Sequence, residues 1–201
     1  MSEAVLDADG KVQHYCNTTY YINRSGAIQL RYRKVNLWGE ERKAFLKGDI
    51  HEVLETEEFG KIGLLICWDL AFPEAFRELV KQGARMIIIP TLWKLPDCGP
   101  KGLAYNPDSE RIFINSVISA RAFEQNVCVV FCNTGGPSSE GYFGNSQITF
   151  PFKGPIAKLG CEELAEVVEV EFGSILEDAE DVWNIREDVS SDGWYSAGPG
   201  R

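Results

Sequence analysis

The sequence predicts an α/β layered fold, and three observations carry that reading. Two nearly continuous apolar runs, residues 62–67 and 86–89, have the length of strands buried on both faces. Between them, residues 72–80 place apolar side chains at helical spacing. The pattern then recurs, with an amphipathic helix over residues 109–126 leading into a strand over 127–133. Strands that alternate with helices bury their faces in layers, with helices packed on a sheet.

Taken in order, residues 20–22 and 27–32 flank Asn23-Arg24-Ser25-Gly26, a polar stop ending in glycine, which predicts a hairpin. A polar loop holding Trp38, Glu40, Glu41 and Arg42 leads to a short strand over 50–54 and a turn at Phe59-Gly60. The buried strand over 61–67 follows. Pro73 sits where a helix starts, and Gly83 where it stops. Residues 86–90 form the next buried strand, 92–107 a loop, and 147–150 a last strand.

The 201 residues hold no linker or repeat, so 1–201 reads as a single domain. No stretch approaches the roughly 20 apolar residues of a membrane span. The first twenty residues lack the apolar centre of a secretory signal, so a cytoplasmic setting is expected and the six cysteines read as reduced thiols. No CxxC occurs, and His14 and His51 are far from Cys128 and Cys132. Neither a metal nor a cofactor is expected. The net charge is −10, and residues 162–188 hold eleven acids against Arg186 alone. The remainder is neutral and offers no basic footprint for phosphates, so nucleic acid is not an expected partner.

Cys67 is the first candidate for chemistry. It stands where a buried strand stops and Trp68-Asp69-Leu70-Ala71 turns toward a helix, the edge at which open α/β sheets place reactive groups. A thiol there would feel the positive end of the helix, which favours the nucleophilic thiolate. A small buried core residue is the other reading of the same pattern. Neither histidine makes a convincing base for it.

Further residues carry a family resemblance. Tyr32-Arg33-Lys34-Val35-Asn36-Leu37, then Gly63-Leu64-Leu65-Ile66-Cys67-Trp68-Asp69, then Pro73-Glu74 resemble the carbon-nitrogen hydrolase family, the nitrilase and amidase superfamily. The match runs on through Gln82-Gly83-Ala84, Pro90, Ala120 to Asn126, Asn133 and Gly144-Asn145-Ser146, and covers about residues 15–172. The resemblance implies a four-layer αββα sandwich and a cysteine that attacks an amide or nitrile carbon of a small molecule. It assigns Cys67 as nucleophile, Lys34 as catalytic lysine and Glu41 as a second glutamate beside the site. An ammonium near the attacked carbon stabilises developing negative charge, which suits Lys34 to that role. Trp68, Trp93 and Phe143 become the expected walls of the substrate pocket, with the Trp68 N–H aimed at the oxyanion. Arg121 and Glu124 are expected to pair behind the site.

The family's general-base glutamate comes from an opening strand and helix that precede the segment matching Tyr15-Cys16-Asn17-Thr18. Residues 1–11 are too short to supply them, and Glu3 lies in no matching motif. Glu74 matches a different position and is expected to point into structure. The chain is therefore expected to be an incomplete domain with sheet edge and apolar helix faces uncovered. One expectation is a fragment of an active hydrolase; the alternative is a non-catalytic nitrilase-fold binding or scaffold protein. The resemblance also implies a homo-oligomer, with the tail over 174–201 making contacts to a neighbour.

Overall fold

The computed structural model describes residues 2–191. Its first sheet is built by β1 (Ser2–Leu6), β2 (Val12–Ile22), β3 (Ile28–Arg33) and, after helix α1 (Glu41–Ala44), β4 (Phe45–Leu46). Strand β2 pairs antiparallel with β1 and β3 and parallel with β4. The hairpin turn follows from its residue chemistry: Asn23 Oδ1 accepts from the N–H groups of Ser25 and Ala27, and Gly26 adopts φ 82°. Its first strand begins at Val12 rather than at Tyr20. Strand β1, to which the sequence pattern gave no element, forms because Asp7 Oδ1 accepts from Asp9 and Lys11 N–H and turns the chain back onto β2.

The second sheet has six strands: β5 (Val53–Thr56), β6 (Gly60–Leu64), β7 (Met86–Thr91), β8 (Cys128–Asn133), β9 (Gln147–Phe150) and β10 (Gly154–Lys158). Their order is β10-β9-β8-β7-β6-β5. The central three are parallel, with β5 and β9 joining antiparallel on either side. Strand β5 starts later than predicted; Gln82 Nε2 donates to the His51 carbonyl at 2.6 Å and takes that backbone out of pairing.

Helices α2 (Pro73–Lys81), α3 (Gly99–Tyr105), α4 (Ser109–Glu124), α5 (Phe172–Trp183) and α6 (Ile185–Ser190) complete the fold. Helix α3 lies inside the stretch predicted as loop. Phe76 and Leu79 of α2 and Ile114 and Ile118 of α4 pack with Ile87, Ile89, Val129 and Phe131 in the main core. A Cβ at position 63 would lie 2.6 Å from Leu79 Cδ1, so glycine there is what lets α2 sit down on the sheet. The other face is met by α5, whose Ile175 and Leu176 pack with Cys128 and Phe150. Leu30 and Tyr32 of the first sheet enter the main core from their side. The result is the predicted α/β sandwich, with a large cavity between the two sheets.

Coverage is uneven. Leu6, Val12, Tyr15, Ile22, Ile28 and Leu46, all on the first sheet, are exposed. The acidic segment runs over the surface, with Val167 almost fully exposed within it. The tail beyond residue 174 packs on its own chain as far as it is described. Val189 is buried, Trp183 meets the rings of Phe123 and Phe152, and Arg186 donates to the Ala84 and Asn126 carbonyls. Val182 on the same helix as Trp183 stays exposed. Trp194 and Tyr195 lie outside the described residues. No described helix is long and apolar enough to cross a membrane.

Candidate active site

Cys67 follows the buried end of β6 and opens a five-residue 3₁₀ turn, Cys67–Ala71, in which it adopts φ 48°. A non-glycine residue in the left-handed region is strained and is held there by its surroundings. Here the clamp is Asp69: its N–H donates to the Ile66 carbonyl at 3.0 Å and its Oδ2 accepts from the Ile66 N–H at 2.9 Å. Behind the turn, Arg121 Nη2 donates to the Ala71 carbonyl while Nη1 pairs with Glu124 at 2.7 Å, the brace the sequence predicted.

Lys34 is the residue after β3, and its side chain is 1% exposed. Burial of an ammonium requires a partner. Glu41 supplies one at 2.6 Å, and also accepts from Asn17 Nδ2 and from the Trp38 N–H, each at 2.8 Å. Burial alone would raise the Glu41 carboxyl, but these three donors outweigh it and hold it below its ordinary value.

The two segments face each other across a cavity of about 640 Å³ between the sheets. The first sheet contributes Asn17, Thr18, Tyr20 and Lys34, with Glu41 beside them. The second contributes Cys67, Trp68, Leu92, Trp93, Lys94 and Asp97. That size is in the range for a small-molecule ligand.

The electrostatics correct one expectation. The predicted helix does not begin at Cys67, because the 3₁₀ turn intervenes before α2. Burial dominates and pushes the thiol up to about 11; Lys34 and the Trp68 N–H pull it down, whereas Glu41 and Asp97 push it further up. Cys67 therefore rests as a thiol near neutral pH, and the expected standing thiolate is absent. Its sulfur also lies 3.7 Å from the Leu92 carbonyl.

Trp68 and Trp93 line the cavity as predicted, with ring centroids 5.5 Å apart, and Phe113 closes the cluster at 6.1 and 5.8 Å from them. Trp93 is fixed by Asn133, whose Oδ1 accepts from the Trp93 N–H and whose Nδ2 donates to the Trp93 carbonyl, and by Glu110, which accepts from its Nε1 at 2.7 Å. Phe143 is not among the residues lining the cavity. Asn133 Nδ2 also holds the Gly144 carbonyl, and Phe143 is drawn into the core, 6.0 Å from the Arg111 guanidinium carbon. Glu74 is exposed on α2, not turned into structure.

Of the predicted residues, then, Cys67, Lys34, Glu41, Trp68 and Trp93 meet at one cavity and Phe143 does not. Sequence reasoning missed Thr18, Tyr20, Lys94 and Asp97. Thr18 faces the site from the part of β2 that its apolar pattern did not show, and Tyr20 from the predicted strand, where nothing singled it out. The others lie in the segment assigned to pocket shape, but nothing in it singled them out. Among the described residues the acids lining the cavity are Glu41 and Asp97. Glu3 is elsewhere, held by Arg33 (2.9 and 3.0 Å), Arg31 and Thr18, with its carboxyl drawn down to about 2 chiefly by Arg33. No group of three metal-ligating side chains occurs among the described residues.

Two sheets with a cysteine-bearing cavity between them, the six-stranded one packed by helices, define the class of α/β sandwich to which this protein belongs. The sequence profile of the carbon-nitrogen hydrolase family matches residues 2–173, and the chain belongs to that family. It is 37% identical over 153 residues to a probable nitrilase of Schizosaccharomyces pombe, an alignment covering 76% of this chain and 51% of the relative. It is 30% identical to the 2-oxoglutaramate amidase of Bacillus subtilis, over 73% of this chain and 52% of that one. The crystal structure of a carbon-nitrogen hydrolase from Helicobacter pylori G27 superposes with a TM-score of 0.78 at 24% identity, covering 93% of this chain and 65% of the other, and shares the fold. A variant of the amidase from Nesterenkonia sp. AN1, with the acetamide moiety of fluoroacetamide covalently added at its active-site cysteine, superposes with a TM-score of 0.65 at 28% identity, over 86% and 62%. The chain spans about half the length of these curated relatives.

Proposed function

We propose that this chain carries the nucleophile of a hydrolase that cleaves a non-peptide carbon–nitrogen bond, an amide or a nitrile, of a small molecule through a thioester at Cys67. The observation that supports it is the placement of Cys67 and the buried Lys34–Glu41 pair on one cavity. The family's known amidases, and the covalent adduct at a relative's cysteine, point the same way.

For a primary amide, the Cys67 sulfur attacks the carbonyl carbon. A C–S bond forms and the carbonyl electrons move to oxygen, where the Lys34 ammonium and the Trp68 N–H stabilise the charge. Collapse breaks the C–N bond, and the proton given up by Cys67 leaves with the nitrogen as ammonia. Water then attacks the thioester, releasing the acid and restoring the thiol. At pH 7 a thiol at about 11 is ionised only about once in 10⁴ molecules, so a base must take its proton. The resemblance assigns that task to a glutamate on an opening strand and helix. Among the residues described, Glu41 and Asp97 are the acids at the cavity.

Ammonia release from a panel of small primary amides, by this chain alone and by this chain joined to an opening strand and helix bearing a glutamate, tests the reading. Release that disappears in Cys67→Ala supports it. The alternative, a non-catalytic nitrilase-fold binding or scaffold protein, draws on the raised thiol and on the three hydrogen bonds that already occupy Glu41. It predicts amide binding without ammonia, identical in wild type and Cys67→Ser. Cytoplasmic residence and a homo-oligomer complete the proposal. Sedimentation of the chain against Val182→Asp, a change on the exposed side of α5, reads the second; a monomer in both defeats it.

A further inference from the structure

The residue that joins the two halves of the site does not line the cavity at all. Asp69 is completely buried, and its carboxylate accepts four hydrogen bonds, from Tyr32 of the first sheet and from Asn36 and Ile66 just beyond β3 and β6. Oδ2 takes the Ile66 N–H at 2.9 Å and the Tyr32 hydroxyl at 2.8 Å; Oδ1 takes the Asn36 N–H at 2.8 Å and Asn36 Nδ2 at 2.9 Å. Ile66 precedes Cys67. Tyr32 and Asn36 stand two residues before and two after Lys34, and the Tyr32 oxygen also accepts from the Val35 N–H at 3.3 Å. The strained turn carrying the sulfur and the segment carrying the ammonium are thus tied to one pair of oxygens.

We infer that Asp69 is a positioning residue, whose buried carboxylate sets the placement of the Lys34 ammonium relative to the Cys67 sulfur. The inference rests on Cys67 and Lys34 being the reacting pair proposed above. A carboxylate suits this place because it offers acceptors only, and all four surrounding groups are donors. An amide at position 69 would turn an NH₂ group toward two of those donors. They would lose their partner in a buried site, where an unmade hydrogen bond is costly. One strand segment or the other must then move. The charges acting on the Cys67 thiol from the elements around it are Lys34 and Glu41 beside the first sheet and Asp97 from the segment before α3. Asp69 acts on the thiol by holding Lys34 in place.

The test is a double-mutant cycle on the full chain, read by the pH profile of Cys67 alkylation with iodoacetamide and followed by peptide mass spectrometry with Cys132 as internal reference. Lys34→Met removes the cation and is expected to shift the Cys67 profile to higher pH by about one unit, a tenfold slower reaction at pH 8. Asp69→Asn alone is expected to produce a similar shift, and to add nothing in the Lys34→Met background. A wild-type profile in Asp69→Asn overturns the inference. So does a shift of equal size in both backgrounds, which would mean that Asp69 works without Lys34. If Asp69→Asn loses its thermal transition, Tyr32→Phe and Asn36→Ala, each of which removes one side-chain donor on the Lys34 side, enter the same cycle. For them too, a wild-type profile or a shift of equal size in both backgrounds overturns the inference. An unchanged profile in Lys34→Met would instead defeat the reacting pair and the proposed function with it. That outcome is distinct from a shifted Lys34→Met profile beside an unshifted Asp69→Asn.

Discussion

The two sheets meet at one cavity but are covered very differently. The six-stranded sheet has helices against both faces, and Ile62, Ile87, Ile89, Val129 and Phe150 are fully buried in it. The four-stranded sheet leaves several large apolar side chains exposed, Leu6, Tyr15 and Leu46 among them. The nucleophile sits on the well-packed half and its cation on the bare half. The site therefore depends on the less protected sheet for its charge and on the better protected one for its strain. What joins the two beside the site is polar, the hydrogen bonds that Asp69 accepts from Ile66, Tyr32 and Asn36.

Substitutions on either half put this contrast to the test. Phe76→Ala, beneath the six-stranded sheet, should cost about 3–5 kcal/mol in urea unfolding, because it empties a fully enclosed ring site. A loss below about 1 kcal/mol would show that this half is not the stability core. Glu41→Ala should cost about 3 kcal/mol, since it strands a buried ammonium without its partner; an unchanged midpoint would show that Lys34 finds another.

Acid should act on the bare half first. The folded-state Glu3 carboxyl is depressed from 4.5 to about 2, so its contribution is complete above pH 4.5 and is lost as the pH falls from there toward 2. Hydrogen exchange in β1 should therefore accelerate over that window in wild type and stay flat in Glu3→Gln. Equal profiles would remove Glu3 as the tether of β1. The smallest effect is expected for Ile28→Ser on the exposed face of β3, within about 0.5 kcal/mol in stability, with less aggregation on concentration. A large loss there would mean that this surface is covered in solution.

The same contrast explains what the sequence made legible. Strands buried on both faces write themselves as unbroken apolar runs, so β6 and β7 could be read directly. Strand β1 alternates exposed and half-exposed residues and is announced only by the Asp7 turn, and β10 has a glycine and a proline at its start. Cys67 was visible because it interrupts an apolar run at a turn. Lys34 was not, because Arg31, Arg33 and Lys34 together look like a solvated strand end; only the family resemblance marked it, and its burial explains why it differs from its neighbours. The state of the thiol could not be read either. A helix start is visible in Pro73, but the 3₁₀ turn before it and the enclosure that raises the thiol are properties of the folded cavity. Phe143 shows a related failure: an aromatic residue near the site in sequence is a wall only if its neighbours leave it there, and Phe143 is buried in the core beside Gly144, whose carbonyl the Asn133 amide holds.

Intact-mass and peptide spectrometry of the chain, quenched during reaction with a small primary amide, addresses the nucleophile itself. An acyl group is expected on Cys67, formed faster as the pH rises and absent from Cys67→Ala together with ammonia release. Ammonia released at the same rate by Cys67→Ala, or an acyl group found on another cysteine and never on Cys67, would contradict a nucleophilic role for this sulfur.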